Sequence, residues 1–180
     1  MKLPIALSSI ALATSLITLI TPPVTAQLTR EALVKTNIQK LIATRECKGC
    51  DLTRADLQNL DLKGVDLKNA VLEDAQLQNT NLSTANLEAA SLGGANLSQS
   101  DLSAANLTAA DLCFTQLQGA NLTQANLTNA QLIAANLQNA ELTHTNFSYA
   151  NLQNANLIAV NLEETILKGA NLRGTQRNVI

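Results

Sequence analysis

The sequence predicts an all-β solenoid, a chain wound around one axis with its leucines inside and no pocket within the winding. Three observations predict it. Leucine stands at every fifth position from Leu52 to Leu172, replaced only by Phe147. Two residues before each of these twenty-five positions the chain carries Ala in sixteen cases and another uncharged residue in the rest. Finally, one Tyr, two Phe and no Trp are too few rings to fill a globular core, although 46% of the residues are hydrophobic.

Residues 1–26 read as a secretory signal peptide. Lys2 is their only charge, Leu3 to Ile20 is an apolar stretch, and Val24-Thr25-Ala26 places small residues before a cut at Gln27. A retained membrane anchor is the competing reading, because eighteen mostly apolar residues are at the lower limit for spanning a bilayer. Ser and Thr interrupt the stretch and Pro22-Pro23 ends it. Export therefore implies an oxidising compartment and, once the signal is removed, no stable membrane insertion.

Residues 27–49 are expected to form an N-terminal capping helix and a CxxC loop. Thr29 is placed to cap a helix, Leu28 and Leu33 sit where a hydrophobic staple belongs, and Val34, Ile38, Leu41 and Ile42 share one face. Such a helix covers the first coil, where a solenoid otherwise exposes leucines and unpaired backbone. Between helix and coil lies Cys47-Lys48-Gly49-Cys50, with Cys50 in the first inward slot. A CxxC serves as a structural disulfide, as half of a zinc site or as a thiol redox pair. Zinc needs about four ligands, and the remaining candidates, Cys113 and His144, are far along the chain. A redox pair normally opens a helix, whereas this one follows a helix.

Residues 50–174 carry the five-residue period. On an α-helix each step of five turns by about 500°, so successive leucines drift by ~140° and no apolar stripe forms. On a straight strand, leucines five apart alternate between faces. Each unit must therefore bend. The Ala and Leu slots, two apart, share a face as in a short strand, and the last two residues turn outward around a corner. The slot between Ala and Leu is mostly Asp or Asn, as in Ala55-Asp56-Leu57 and Ala105-Asn106-Leu107. The nine substitutes in the Ala slot include Cys50, Leu60, Val65, Thr80 and Ser100, all uncharged as an inward position demands. Residues 175–180 form a C-terminal tail too short for a second capping helix. Val179 and Ile180, or a second copy of the chain, are expected to close the last coil.

The run A-(D/N)-L-x-x, as in Ala120-Asn121-Leu122-Thr123-Gln124, resembles the pentapeptide-repeat family over residues 50–174. The resemblance implies four repeats per turn, hence a right-handed quadrilateral β-helix of about six coils for the 25 repeats. At ~4.8 Å per coil the rod is roughly 30 Å long. With twenty residues per coil, Asn86, Asn106, Asn126 and Asn146 stack into an amide ladder. Gly93-Gly94, Cys113-Phe114 and Ile133-Ala134 likewise fall one above another as a small apolar patch, and Cys113, Phe114 and Ile133 are the candidate partner contacts. The chain is also similar to exported cyanobacterial pentapeptide proteins in which a short helix and a Cys-x-Gly-Cys-like segment precede the repeats. That similarity implies a structural disulfide between Cys47 and Cys50, and a periplasm or thylakoid lumen.

Enzymatic function is disfavoured. His144 is the only histidine, with no acid placed beside it in sequence, and no nucleophile motif, phosphate loop or metal-ligand cluster appears. No catalytic residue, cofactor or metal is assigned. Some members of the resembled family mimic duplex DNA and occupy type II topoisomerases, and this is the alternative function. Residues 50–174 hold twelve acids and five bases, a net charge of −7. Duplex DNA carries about eighteen negative charges over ~30 Å. The expected function is a non-enzymatic exported scaffold or protein-interaction rod, with an unknown protein partner and no nucleic acid. An end-to-end homodimer through the C-terminal coil is the candidate oligomer, and thiol redox chemistry at the CxxC is a further alternative.

Overall fold

The structure, a computed structural model, describes residues 29–177. The signal segment 1–26, Leu28 of the expected staple, and Val179 and Ile180 of the expected lower closure lie outside the described residues. Parallel bridges join residues twenty apart, as Asp51 to Val71 and Val71 to Ser91, and continue to Asn156 with Gln176. Each coil therefore holds four five-residue units. The rod has four side faces, on which the first units begin at Glu46, Asp56 and, between and after them, Asp51 and Asp61. In order along the chain, the units starting at Glu46, Asp51, Asp56 and Asp61 open the first, second, third and fourth face.

One unit shows why the period is five. The Leu52 amide donates to the Val71 carbonyl (2.7 Å), and the Val71 amide donates back to Cys50 (2.9 Å), so the short strand is tied to the next coil. The Ala55 amide then closes a turn onto the Leu52 carbonyl (3.0 Å). The third residue of that turn, Arg54, has φ 57°, the left-handed conformation that type II-like turns require. The same conformation recurs at corner positions five apart, from Gly49 to Gly174, and is occupied by residues as different as Asn79, Ala109, Phe114 and Tyr149.

The Asp/Asn slot has a mechanism that the pattern alone does not reveal. Its side-chain oxygen accepts the backbone amide two residues on: Asp51 from Thr53 (3.0 Å), Asn81 from Ser83 (3.0 Å), Asn121 from Thr123 (3.0 Å). This Asx turn pre-forms the corner, which only a short side chain with an oxygen at that distance can do.

The interior is filled by the chain itself. From Leu52 to Leu157 every residue in the leucine slot, Phe147 included, is at most 2% exposed. Hydroxyls in the Ala slot bond to backbone carbonyls, Thr80 to Leu57 (2.8 Å), Ser100 to Leu97 (2.7 Å) and Thr145 to Leu122 (2.7 Å). That bonding is what makes Thr and Ser tolerable among buried Ala.

The boundaries shift relative to the sequence reading. Glu46 bridges Asp66, and the Cys47 and Gly49 amides donate to Asp66 (2.8 Å) and Lys68 (2.9 Å). The first unit is therefore in place at Glu46 rather than at Cys50, with Cys47 in a leucine slot and Cys50 in an Ala slot. At the other end Gln176 is still bridged to Asn156, so the solenoid runs beyond Gly174. One irregularity precedes that end. Glu141 bridges Asn121 on one side, but no bridge joins it to Asn161. The corner at Glu164 also lacks the positive φ found at Ala159 and Gly169.

The expected asparagine ladder forms in part. Asn106 donates to Asn86 (3.3 Å) and Asn86 to Asp66 (3.1 Å), whereas Asn126 turns to the Thr108 hydroxyl (3.0 Å). The Thr108 hydroxyl bonds Asn106 (2.6 Å), so it is relayed into the same stack. Ladders also run on other faces, Asn171 to Asn151 on the second (2.9 Å) and Asn156 to Asn136 on the third (3.0 Å).

Truncating one central leucine leaves a cavity that rigid neighbouring coils cannot close. Leu107→Ala is expected to lower stability by about 2–5 kcal/mol. Asn106→Ala, which removes an Asx turn and a ladder bond, is expected to cost about 1–3 kcal/mol. Urea unfolding monitored by circular dichroism measures both.

Candidate functional site

Three regions carry chemistry beyond the repeated unit: the capped end, the second face and the corner at His144. The cap is helix α1, Arg30–Thr44. The Thr29 hydroxyl accepts the Ala32 amide at its start (3.3 Å). Arg45 closes it in the left-handed conformation (φ 61°), its amide donating to Leu41 (2.9 Å). Leu41 is fully buried, and Val34 and Ile38 pack partly against the core. Ile42, expected on the same stripe, is 53% exposed, because the buried line runs 34, 38, 41 and the next residue already turns away.

The helix and its flanks also satisfy open carbonyls of the first coil. Thr44 donates to Glu46 (3.1 Å), Asn37 to Asp51 (2.9 Å), and the Arg45 guanidinium to Asp61 (2.7 Å) and Lys63. Three of the four faces are thus closed at this edge. Over the third face there is instead a cleft of about 480 Å³ lined by Arg30, Val34, Lys35, Ile38, Ala55 and Asp56. The pocket-free rod expected from sequence is corrected here: the tube is filled, and the cleft lies outside it, under α1.

Cys47 and Cys50 form a disulfide, with Cα atoms 5.3 Å apart. Cys47 is fully buried and Cys50 is 8% exposed. The bond crosses one corner of the first coil, linking a leucine slot to an Ala slot directly under Leu41's helix. Sequence reasoning saw the CxxC as a loop because neither cysteine matches the Leu and Ala that mark the period. The surrounding Glu46, in phase with the Asp/Asn slot, was the available signal.

Charged groups at this end are paired along the axis. Arg30 meets Asp51 (2.9 Å), Lys48 meets Asp66 (3.0 Å), Arg54 meets Asp74 (3.6 Å) and Lys68 meets Glu88 (2.9 Å). Hydrogen bonds from Thr53, aided by Arg30, hold the Asp51 carboxyl below its ordinary value. At Asp66, burial works upward but is outweighed by Lys48 and the Lys68 amide, so its carboxyl is also lowered. The same pair raises Lys48.

On the second face the structure brings the predicted patch together. The Gly94 amide donates to Cys113 (2.9 Å) and the Phe114 amide to Ile133 (2.9 Å), one coil apart each time. Phe114 is 68% exposed, while Cys113 and Ile133 are half-buried. Burial, with the neighbouring Asp111 second, pushes the Cys113 thiol up to about 11. It is a packing residue at neutral pH and a poor nucleophile.

His144, on a corner, has Glu164 one coil below it at 3.8 Å, and both side chains are more than half exposed. The sequence reading found no acid beside His144; the twenty-residue register supplies one. Tyr149, on another corner, faces Lys168 of the next coil, whose ammonium is 5.8 Å from the ring centre. Gly169 makes room for that ring, since a Cβ there would stand 2.6 Å from it. Among the described residues no group of three or more His, Cys, Asp or Glu is arranged to hold a metal ion, and no helix is long and apolar enough to cross a membrane.

The Pentapeptide repeats family matches this chain in eight copies, over residues 46–88, 81–113, 114–148, 125–163 and 135–174. The chain belongs to the pentapeptide-repeat family. Pentapeptide-repeat proteins fold as right-handed quadrilateral β-helices, in agreement with the four-unit coil. A crystal structure of a pentapeptide-repeat protein from the cyanobacterium Cyanothece 51142 is 33% identical, over 80% of this chain and 99% of that one, with a TM-score of 0.43. A pentapeptide-repeat protein from the Arabidopsis thaliana thylakoid lumen is 32% identical over 59% of this chain and 71% of that one, TM-score 0.32. The plasmid-mediated fluoroquinolone resistance protein QnrB1 is 19% identical over 74% and 80%, TM-score 0.43. No curated protein matches the sequence.

Two outcomes test the cap. Replacing Cys47 and Cys50 by Ser opens a four-residue cross-link and is expected to lower stability by ~2 kcal/mol, with faster amide exchange in α1 than in the central coils. Asp51 and Asp66 have lowered values in the folded protein, so they stabilise it above the ordinary carboxylate range and lose that contribution as pH falls through their lowered values. Acid titration of α1 amide exchange is expected to show the cap loosening before the coils, and Asp66→Asn to flatten that dependence.

Proposed function

We propose that the protein is a non-enzymatic scaffold or protein-interaction rod, exported to a periplasm or thylakoid lumen. The observation that carries this reading is the filled interior: leucine side chains close the tube from Leu52 to Leu157, so recognition falls to the outer faces. The exposed Phe114 ring, with Cys113 and Ile133 beside it, is the apolar contact for a protein partner, because exposed aromatic anchors dominate protein interfaces. The disulfide and the signal-like first segment support an oxidising, exported location.

The two alternatives have less support. A DNA mimic needs a dense, unpaired negative surface, yet Asp51, Asp66 and Asp74 each pair with a base. A thiol redox role needs an accessible sulfur, and both Cys47 and Cys50 are buried beneath α1. For assembly, the last coil supports an end-to-end homodimer: Leu162, Leu167 and Leu172 are only partly buried, and Ile166 is 50% exposed.

Co-purification from the cell envelope tests the reading. A protein complex is expected to accompany the parent and to be lost with Phe114→Ser plus Ile133→Ser, while the circular dichroism spectrum is unchanged. Undiminished capture by that variant removes the patch from the proposal, and nanomolar inhibition of gyrase replaces the scaffold reading with the DNA mimic.

A further inference from the structure

The third face differs from the other three. Its units begin at Gln76, Asn96, Gln116, Asn136 and Asn156, and between Asp56 above and Arg177 below no outward position on this face is charged. By contrast the first face carries Lys68 and Glu88, the second Glu73 and Asp111, and the fourth Asp101 and Glu141. A second column on the same face, Gln78, Ser98, Gln118, Gln138 and the apolar Ile158, is also uncharged. Each amide offers both donors and an acceptor. The Gln116 side chain is exposed on this face, whereas the side-chain oxygens of Gln78 and Gln118 are enclosed and out of a ligand's reach.

Size and charge select the ligand class. Five coils of two columns measure about 20 Å by ~10 Å, on the order of 200 Å². A stable protein interface takes about 800 Å² from each partner, so this strip is too small to hold a second folded protein or copy by itself. Nucleic acid and anionic lipid bind chiefly through charge, and the strip has none to offer. A linear, uncharged polymer rich in hydroxyls fits both constraints, since every hydroxyl donates and accepts. The repeat fits as well: coils are ~4.8 Å apart, close to the advance of one residue in an extended pyranose chain. At the rim, the exposed Phe114 stands on the corner that leads into Gln116 and presents an apolar ring to the C–H face of a sugar.

We propose that the third face binds a neutral glycan chain lying along the rod axis. Affinity electrophoresis of the full protein in native gels containing hydroxyethyl cellulose, mixed-linkage β-glucan or dextran tests it, with anionic alginate in a parallel gel. At least one neutral polymer is expected to retard the protein, in low and high salt alike. Gln118→Lys with Gln138→Lys is expected to weaken that binding about tenfold, ~1.4 kcal/mol, and Gln116→Lys, at an exposed position, provides a second variant. Thr123→Lys on the fourth face is expected to bind like the parent. Variants are compared only where circular dichroism and melting match the parent. The proposal is overturned by no retardation in any neutral polymer, by retardation in alginate alone, or by third-face lysine variants that bind as the parent does. A concentration-dependent dimer abolished by the same lysines assigns the face to a second copy and overturns it as well.

Discussion

The twenty-residue register between coils is the constraint on which everything else rests. Each short strand has only two or three residues, far too few to be stable alone, and it exists because the coil above and the coil below present donors and acceptors at matching heights. The Leu52–Val71–Cys50 exchange is the elementary step, repeated down the rod. Stability is therefore shared between neighbours and absent at an uncovered end. This explains why α1 devotes Asn37, Thr44 and Arg45 to open carbonyls, and why the disulfide sits in the first coil, where only one neighbour exists. Among the described residues the ladder lapses at Asn161, although the units at Ile166, Asn171 and Gln176 that follow it are still bridged to the coil above.

The same register distributes charge. A base in one coil stands over an acid in the next, as in Lys48 over Asp66 and Lys68 over Glu88, so part of the acid cluster seen in the sequence is neutralised in space. What reaches solvent over the middle of the rod is mostly amide, hydroxyl and a few apolar groups.

Much of the fold was legible because the leucine beat is unbroken and no helix or flat strand accommodates it. The helix and its Thr29 cap were legible for the usual reason, local periodicity and capping. The face-by-face arrangement needed only the number twenty, and the Cys113–Phe114–Ile133 patch follows from it. Other features were hidden in that number or beneath it. Glu46 and the two cysteines kept the register while abandoning Leu and Ala, so the first unit read as a loop. The pairing of His144 with Glu164 and the third face's missing charge emerge only when the chain is cut into twenties and compared column by column. Ile42 failed because a stripe drawn on a helix says which side chains are near one another, not how wide a target the coil beneath provides.

The left-handed corners have a wider implication. Their backbone path is held by the ladder amide within them and, where Asp or Asn precedes, by an Asx turn, and it persists at Asn79, where Gln76 precedes and makes no such turn. Alanine, asparagine, phenylalanine and tyrosine all occupy it without altering the path, at Ala109, Asn79, Phe114 and Tyr149. Mutation can therefore rewrite the exterior of such a rod while the winding stays fixed, provided that corners stacked on one another change together, as the Tyr149 ring over Gly169 requires. Relatives that share the winding are free to diverge completely in what they recognise.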